Sequence, residues 1–255
     1  RKEIEGAGYE LALLEKYTDK QQLLDAVADV DALIIRSDKV DNAVLDAAKN
    51  LKIVVRAGAG YDNVDLAAAT AHGVVVMNTP GQNSNAVAEL VFGLLVYAVR
   101  NFYNGKTGTE LKGKKLGILA FGNVGRNVAR IAKGFDMDVY AYDAYCPADV
   151  IESAGVKAVA STEELFEKCD IVINTARKEV VDEDGLIKLL SEREDLRYIS
   201  DIAPDKASEF AEKFPGRYFA TPKKMGAQTA EANINAGIAA ACQIVGFLRD
   251  GITKF

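Results

Sequence analysis

The stretch KLGILAFGNVGRNVARIAKGFDMDVYAYD, residues 115–143, predicts the fold of this chain. It reads as an apolar strand, a glycine-rich turn, a helix, a second strand and a terminal acid, which is the pattern of a dinucleotide-binding βαβ unit. The turn AFGNVG matches G-x-G-x-x-G except that Ala120 stands at the first glycine position. A glycine motif alone is weak support, but the order of the surrounding elements favours a dinucleotide site over a turn without a ligand.

The turn and the acid are expected to contact the cofactor. Gly122 lets the backbone approach a pyrophosphate, and Gly125 lets the helix pack closely on the strand. The amides that begin the helix, from Asn123 and Val124 onward, are expected to face the phosphates. Asp143 can accept a hydrogen bond from a ribose 2′-hydroxyl, and no Arg or Lys is next to it in the sequence, which favours NAD over NADP.

The rest of the chain alternates strand-like and helical stretches, and its strands are continuous apolar runs. Such runs indicate strands covered on both faces, hence an α/β protein with parallel sheets. The predicted strands are 32–37, 52–57, 74–78, 115–120, 138–142, 171–175, 198–202 and 217–221. The predicted helices are 21–28, 41–48, 85–100, 124–133, 162–168, 182–194 and 205–213.

Composition narrows the possible functions. The 255 residues carry a net charge of −6 with no long basic stripe, so no nucleic-acid partner is expected. The longest apolar run, residues 90–99, is too short to cross a bilayer, so no membrane partner is expected either. The three widely spaced cysteines fit neither a disulfide framework nor a metal site, and they favour a cytoplasmic protein.

A second glycine-rich turn, VVRAGAGYDNVD at residues 54–65, does not repeat the dinucleotide pattern. Asn63 stands at the third glycine position, and no acid ends the next strand. Two interpretations remain open. Gly58 and Gly60 either form a plain turn or expose amides to a small anion such as a carboxylate.

Motifs along nearly the whole chain are similar to those of NAD-dependent D-2-hydroxyacid dehydrogenases. They occur in the family's order: RAGAGYDNVD, NTPGQNSNAVAEL, LGILAFGNVGR, NTARKEVVDEDGL, SDIAPD and TPKKMGAQT. The chain most resembles the branch that oxidises 3-phosphoglycerate and has no C-terminal regulatory domain. The resemblance implies two Rossmann-like, doubly wound parallel-sheet domains with the active site in the cleft, residues 1–80 plus 230–255 for the substrate and 81–229 for NAD. It also implies a homodimer formed through the apolar helix after NSNAVAEL.

The resemblance implies a catalytic role for Arg177, which ends the motif NTAR. A planar guanidinium can hold the carboxylate and the keto oxygen of a substrate together. Thr175 and Ala176 are implied to line the cofactor site, and Asp201 in SDIAPD is implied to bond the nicotinamide carboxamide.

The family's second catalytic residue, a glutamate, has no literal match here. Its position falls at or beside Asp205, with Lys206 as the residue in strict register. Asp205 could orient and charge-stabilise the acid–base group. The alternative is that APDKASE begins a helix and that Asp205 interacts with the helix dipole.

The family's third catalytic residue is a histidine in T-P-H-x-G-G, where this chain has TPKKMGA. Aligning the end of the motif puts Lys224 at the histidine position, and aligning its start puts Lys223 there. A lysine can move a proton when burial or neighbouring cations bring its pKa toward neutrality; the alternative is a pair of surface lysines. Gly226 and Ala227 are implied to contact the cofactor. The only histidine, His72, is expected to end a helix instead.

Two arginines at strand ends are expected to bind a substrate phosphate. Arg36, followed by Ser37, ends one strand and Arg56 ends the next, and the carboxyl ends of parallel strands line the ligand crevice. Lys39 fits an ordinary charged loop equally well. The substrate carboxylate is expected at Arg177 and at the backbone amides of Ala57, Gly58, Ala59 and Gly60.

The combined features favour NAD-dependent oxidation of 3-phospho-D-glycerate to 3-phosphohydroxypyruvate, the first step of serine biosynthesis. One alternative is a dehydrogenase or reductase for another small acid of this class, such as glyoxylate or D-lactate. The paired arginines argue against it, because they predict a second anion on the substrate. A less favoured alternative is an NAD-sensing, corepressor-like scaffold, which would not need Arg177 or the lysines.

Two departures from the family concern length. In CDIVINTAR, at residues 169–177, two family segments are merged, so a crossover unit of roughly 30 residues is absent. Because a true deletion would remove a strand from the middle of the nucleotide-binding sheet, we expect that residues are missing from the sequence at this point. The opening RKEIEGAG likewise resembles the end of a helix without its preceding strand.

Overall fold

A computed structural model describes residues 1–254, which divide into two compact α/β units. The first comprises residues 1–83 and the chain from residue 230 onward, and the second comprises Ser84–Thr229. The boundaries predicted from the sequence lie between residues 80 and 81 and between residues 229 and 230. Each unit has its own parallel sheet, which confirms the α/β class.

The first unit begins with short helices that alternate with three strands. Its elements are α1 (Lys2–Gly6), α2 (Lys20–Val27), β1 (Ala32–Ile35), α3 (Asn42–Ala47), β2 (Ile53–Arg56), α4 (Leu66–Ala71) and β3 (Val75–Asn78). Asp19, Asp41 and Asp65 cap three of the helices by accepting an amide of the first turn. The strands are parallel in the order β1-β2-β3, so the loops after them lie along one edge of the sheet.

The second unit contains the larger sheet. Its elements are α5 (Ser84–Val99), β4 (Lys115–Leu119), α6 (Asn123–Gly134), β5 (Asp138–Tyr142), α7 (Ala148–Ser153), β6 (Lys157–Ala158), α8 (Thr162–Lys168), β7 (Ile171–Asn174), α9 (Glu183–Glu192), β8 (Arg197–Ser200), α10 (Ala207–Lys213) and β9 (Tyr218–Ala220). The strands are parallel in the order β6-β5-β4-β7-β8-β9. The chain runs outward from β4 to β6 and then crosses back to β7, which is the doubly wound order of dinucleotide-binding folds.

A long final helix, α11 (Ala230–Asp250), returns to the first unit and covers one face of its sheet. Ile53 and Val55 of β2 pack in a cluster with Ala240 and Ile244 of this helix. Val54, between them, packs in the opposite cluster with α2, α3 and α4. Both faces of β2 are therefore buried, which explains why this strand is apolar without alternation.

Most strand and helix ends lie within two residues of their predicted positions, but α7, β6 and α11 were not predicted from the sequence. β6 consists of two residues at the edge of the sheet, too few to form an apolar run. α11 is rich in alanine, which carries little hydrophobic periodicity. These elements become apparent only through the surfaces on which they pack.

The larger sheet is continuous at the segment where two family motifs are merged. β7 lies between β4 and β8 and pairs with both along its whole length. Just before β7, Asp170 accepts the amides of Lys115 and Arg197, at 2.8 and 2.9 Å, through its side chain and its carbonyl respectively. One strand therefore fills the central position of the sheet, and the expectation that residues are missing from the sequence at this point stays a prediction.

Gly125→Ala is expected to destabilise the second unit. A methyl group at this position would lie 2.3 Å from the carbonyl oxygen of Ala120, so the turn must move, at a cost of about 1–3 kcal/mol. Urea unfolding followed by circular dichroism measures the loss. The matched control is Gly134→Ala at the other end of α6, where a methyl group meets nothing within 4 Å. The control should be neutral or gain up to about 1 kcal/mol, and equal unfolding midpoints for the two variants would contradict the role of Gly125.

Candidate active site

The turn between β4 and α6 is open to an anion. Gly122 is the N-cap of α6, and no side chain caps this helix. Helix-start amides lack intrahelical partners and lie at the positive end of the helix dipole, so they can bind phosphate. Ala120 adopts a φ of 72°, in the left-handed region that glycine enters freely. The alanine at the first motif position therefore carries a strain of about 1–2 kcal/mol.

Asp143 follows β5 and joins the turn to the next loop. Its Oδ2 accepts the amide of Phe121 at 2.7 Å, and its Oδ1 accepts those of Tyr145 and Cys146 at 2.8 and 2.9 Å. Partial burial opposes ionisation, but these three N–H donors and the charge of Arg126 outweigh it and hold the pKa of Asp143 below its ordinary value. The acid is therefore ionised at neutral pH, and Oδ2, with one donor among the described residues, can accept a ribose hydroxyl.

Arg126 was not predicted as a site residue, although its guanidinium lies near this acid. Its Nη2 is 3.6 Å from Cys146 Sγ, and its Cζ is 5.1 Å from the centroid of the Phe121 ring. Its charge contributes to the low pKa of Asp143. The absence of a basic neighbour for Asp143 is thus true along the sequence but not in space. The available signal was the position of Arg126 directly after Gly125 at the start of α6.

Asn174 shapes the loop that carries Arg177. It is fully buried at the end of β7, where its Oδ1 accepts the amide of Ala176 at 2.9 Å and its Nδ2 donates to the carbonyl of Arg177 at 3.0 Å. Thr175 and Ala176 are half-buried and Arg177 is exposed. The Arg177 guanidinium has no ion-pair partner within residues 1–254, which leaves it available for an anionic ligand.

Asp201 follows β8 and holds the turn that contains the two lysines. Its Oδ1 accepts Thr221 Oγ1 at 3.1 Å and the Met225 amide at 3.2 Å, and its Oδ2 accepts the Gly226 amide at 3.2 Å. A Cβ atom on Gly226 would lie 2.9 Å from Asp201 Oδ2 and 2.9 Å from Val87 Cγ2, so glycine is required here. The role of Asp201 toward a nicotinamide carboxamide stays a prediction, and its contacts reveal a second role toward the turn.

Lys223 and Lys224 are both exposed on this turn. Neither ammonium group forms an ion pair within the described part of the chain. Neither side chain is buried, and the role of either lysine as the acid–base group stays a prediction. Ala227, which follows the turn, is half-buried.

Asp205 lies near the start of α10, in a network of charged side chains. Its carboxylate pairs with Lys178, and its amide donates to Glu183 Oε1 at 2.8 Å. Lys206 is the N-cap residue of α10, donates its amide to Glu183 Oε2 at 2.8 Å and pairs with Asp184. The contacts of Asp205 thus agree with the helix-start interpretation, and its catalytic role stays a prediction.

The first unit carries two uncompensated arginines at the carboxyl edge of its sheet. Burial and the nearby charge of Arg36 lower the pKa of Arg56, and Asp62 opposes this only in part. The Nε of Arg56 is buried without a hydrogen-bond partner, and neither arginine forms an ion pair among the described residues. Ser37 and Lys39 are exposed beside them. A bound anion would satisfy the free donor and reduce the repulsion between the arginines.

The backbone amides after Arg56 are only partly available. The amide of Ala57 extends the sheet by donating to β1 at 2.8 Å, and that of Gly58 donates to the carbonyl of Arg56 at 2.9 Å. Gly58 has a φ of 151°, which residues other than glycine rarely adopt, and the Arg56 guanidinium occupies the space where its Cβ atom would lie. The expectation of four amides for a carboxylate is therefore corrected to two, those of Ala59 and Gly60, which have no partner within residues 1–254.

His72 follows α4 as its C-cap residue, which confirms the predicted helix end. Its Nδ1 donates to the Ala68 carbonyl at 2.8 Å and its Nε2 to Asp46 Oδ1 at 2.9 Å. These two bonds raise the pKa of His72. Both ring nitrogens of His72 therefore already have hydrogen-bond partners at the helix end.

Cys169 is a buried thiol near the start of β7. Burial raises the pKa of the Cys169 thiol to about 12, so this residue is inert. Across residues 1–254, no group of His, Cys, Asp and Glu could hold a metal ion. No helix in that range is long and apolar enough to cross a membrane.

A known structure shares this architecture. The NAD⁺-bound 3-phosphoglycerate dehydrogenase of Entamoeba histolytica is 42% identical, with a TM-score of 0.81, over 100% of this chain and 91% of that one. Two curated relatives are more distant. D-3-phosphoglycerate dehydrogenase of Methanocaldococcus jannaschii is 33% identical over 278 residues, which cover 92% of this chain and 53% of the relative. Hydroxypyruvate reductase of Thermotoga maritima is 33% identical over 215 residues, 69% of this chain and 70% of that protein.

The chain spans about half the length of the phosphoglycerate dehydrogenase relatives that it matches. The alignment with the Methanocaldococcus enzyme extends over 278 positions, more than the 255 residues of this chain, so the relative contains residues that this sequence lacks. The family model of the D-isomer specific 2-hydroxyacid dehydrogenase catalytic domain matches residues 2–255. This protein belongs to the D-isomer specific 2-hydroxyacid dehydrogenase family.

Proposed function

We propose that this protein oxidises 3-phospho-D-glycerate to 3-phosphohydroxypyruvate with NAD, the first step of serine biosynthesis. The observation that supports a phosphorylated substrate is the pair of Arg36 and Arg56, which has no ion-pair partner among the described residues. An acidic chain must gather cations locally to bind an acid with two anionic groups. The names of the Entamoeba and Methanocaldococcus relatives support the same substrate.

The second unit supplies the cofactor site in this proposal. The turn Gly122–Gly125, including the amides at Asn123 and Val124, receives the pyrophosphate, and Asp143 receives the adenosine ribose. Four residues in the loops that follow β7 and β9 line the nicotinamide side: Thr175, Ala176, Gly226 and Ala227. A bound NAD would supply the acceptor for the hydride at C2 of the substrate.

The catalytic side chains bind and orient the substrate and move a proton. Arg177 holds the carboxylate and the oxygen at C2, and the free amides of Ala59 and Gly60 add donors for the carboxylate. Lys224, or its neighbour Lys223, takes the proton of the 2-hydroxyl group. Asp205 is a weaker candidate, because its carboxylate already pairs with Lys178.

The organisation implied by the family completes the proposal. Residues 1–83 with the segment from 230 onward bind the substrate, and Ser84–Thr229 bind NAD. The protein acts as a homodimer in the cytoplasm. The apolar residues of α5 pack in the core of their own unit, where Val91, Leu95 and Ala98 are buried, so their hydrophobicity alone does not require a partner subunit.

Loss of either arginine should impair the use of a phosphorylated substrate selectively. The wild-type chain should reduce NAD with 3-phosphoglycerate, and much less with D-glycerate or D-lactate. Arg36→Gln and Arg56→Gln should each raise the KM for 3-phosphoglycerate at least about tenfold, the loss expected for a charged hydrogen bond. Lys39→Gln is the matched control and should change KM little. Equal activity with D-lactate would instead support a dehydrogenase of another acid, and no turnover with any acid would leave the scaffold alternative.

The acid–base group can be identified by removing each candidate in turn. Lys224→Met should lower kcat by about 10²–10⁴-fold, because general acid–base catalysis contributes that much. Lys223→Met should retain most activity, and His72→Gln should leave the pH–rate profile unchanged, because His72 is bound to Ala68 and Asp46. Full activity of Lys224→Met together with loss of activity in Lys223→Met would assign the proton transfer to Lys223.

Asp143 should enforce the preference for NAD. Its carboxylate is ionised and would repel the 2′-phosphate of NADP, so NADP should bind at least about tenfold more weakly than NAD. Asp143→Asn should narrow this gap, and titration of protein fluorescence quenching with each cofactor measures it. Equal affinities of the wild-type chain for the two cofactors would refute the assignment.

A further inference from the structure

The turn from Thr221 to Gly226 depends on one carboxylate for its position. The Thr221 amide extends the sheet by donating to the Ser200 carbonyl at 3.1 Å. After it, the backbone amides of Lys223 and Lys224 have no partner within residues 1–254. The next fixed points are the amides of Met225 and Gly226, and both are bound to Asp201.

Counting acceptor positions shows how Asp201 is used. A carboxylate offers about four lone-pair positions. Oδ1 receives two donors, Thr221 Oγ1 and the Met225 amide, while Oδ2 receives only the Gly226 amide. One position on Oδ2 therefore remains for a further N–H donor. Asp201 is 2% exposed, so loss of its three hydrogen bonds would leave buried polar groups unpaired. This cost favours the conformation in which the turn stays bonded to Asp201.

Asp201 is itself tied to the loop that carries Arg177. Its amide donates to the Asn174 carbonyl at 3.2 Å, and the Ser200 hydroxyl donates to the same carbonyl at 3.2 Å. Asn174 in turn bonds the carbonyl of Arg177. The turn with the lysines and the loop with the arginine therefore share one buried support.

We propose that Asp201 is a positioning residue for the acid–base lysine. It holds the lysine turn with three of its four acceptor positions and keeps the fourth for a donor of the cofactor. The proton-transfer role of the lysine rests on the function proposed above. The hold of Asp201 on the turn rests only on the hydrogen bonds of this unit. Displacement of a reacting group by about 1 Å can cost 10²-fold in rate, so loosening the turn should affect kcat.

Thr221 provides the sharpest test, because it donates to Asp201 without occupying the position left for the cofactor. Thr221→Val removes the hydroxyl and keeps the shape, and Thr221→Ser keeps the hydroxyl as the matched control. Limited trypsin digestion with mass spectrometry reports cleavage after Lys223 and Lys224, normalised to cleavage after the exposed Lys106. Loss of one hydrogen bond should accelerate cleavage in Thr221→Val about fivefold, while Thr221→Ser should behave as the wild type. In the same variant kcat should fall with little change in the KM for NAD.

Asp201→Asn should give a larger effect, at least about tenfold in the normalised cleavage rate. The amides of Met225 and Gly226 bind different oxygens of Asp201, so the nitrogen that replaces one oxygen faces an N–H that it cannot accept. Asp170→Asn is its control. Asp170 accepts the Lys115 amide just before β7, at the amino-terminal end of the strands, so this variant should leave cleavage at the lysines unchanged. Wild-type cleavage in both Thr221→Val and Asp201→Asn would overturn the proposal. A rise in the KM for NAD with unchanged kcat in Thr221→Val would overturn it as well. If the wild type fails to oxidise 3-phosphoglycerate, the proposed function falls, and the cleavage rates still decide whether Asp201 holds the turn.

Discussion

Buried polar side chains at the carboxyl ends of β7, β8 and β9 are the constraint on which the candidate site depends. Asn174, Ser200, Asp201 and Thr221 are four of the seven buried polar side chains within residues 1–254. Buried polar groups are costly unless paired, and here they pair with one another and with the backbone of the adjoining loops. The loops that carry the candidate catalytic cations are therefore positioned by the need to satisfy groups beneath them. Exposed cations on a rigid, satisfied base suit a site that must bind and release charged ligands.

The two units differ in how they arrange charge. In the second unit Asp143 is stabilised as an anion by three amides, which suits recognition of ribose hydroxyls and opposes an extra phosphate. In the first unit the close pair of Arg36 and Arg56 remains uncompensated, although the chain as a whole carries a net charge of −6. Such a pair is unfavourable without a ligand, and that cost is what an anionic substrate would relieve.

Most of the fold was predictable because its signals are local. A parallel strand that is buried on both faces favours an apolar residue at every position, and many helix starts carry a capping side chain, so both leave a trace in neighbouring residues. The misses have a different origin. The edge strand β6 and the helix α11 are recognisable only through the segments on which they pack. The approach of Arg126 to Asp143 depends on the packing of α6, and the use of the Gly58 amide within its own turn depends on backbone angles that the motif does not specify.

The sequence by itself determined the doubly wound dinucleotide fold, the family, and the candidate residues Arg177, Lys223 and Lys224, because these follow from short patterns of residue type and spacing. Only the tertiary structure decided how those residues are supported and which groups remain free to bind a ligand. It showed that Asp205 is paired, that only two amides after Arg56 are available, and that Asp201 closes the lysine turn. The physical reason is that a hydrogen-bonding group has few partner positions, and whether they are filled depends on which distant segments the fold brings within about 3 Å.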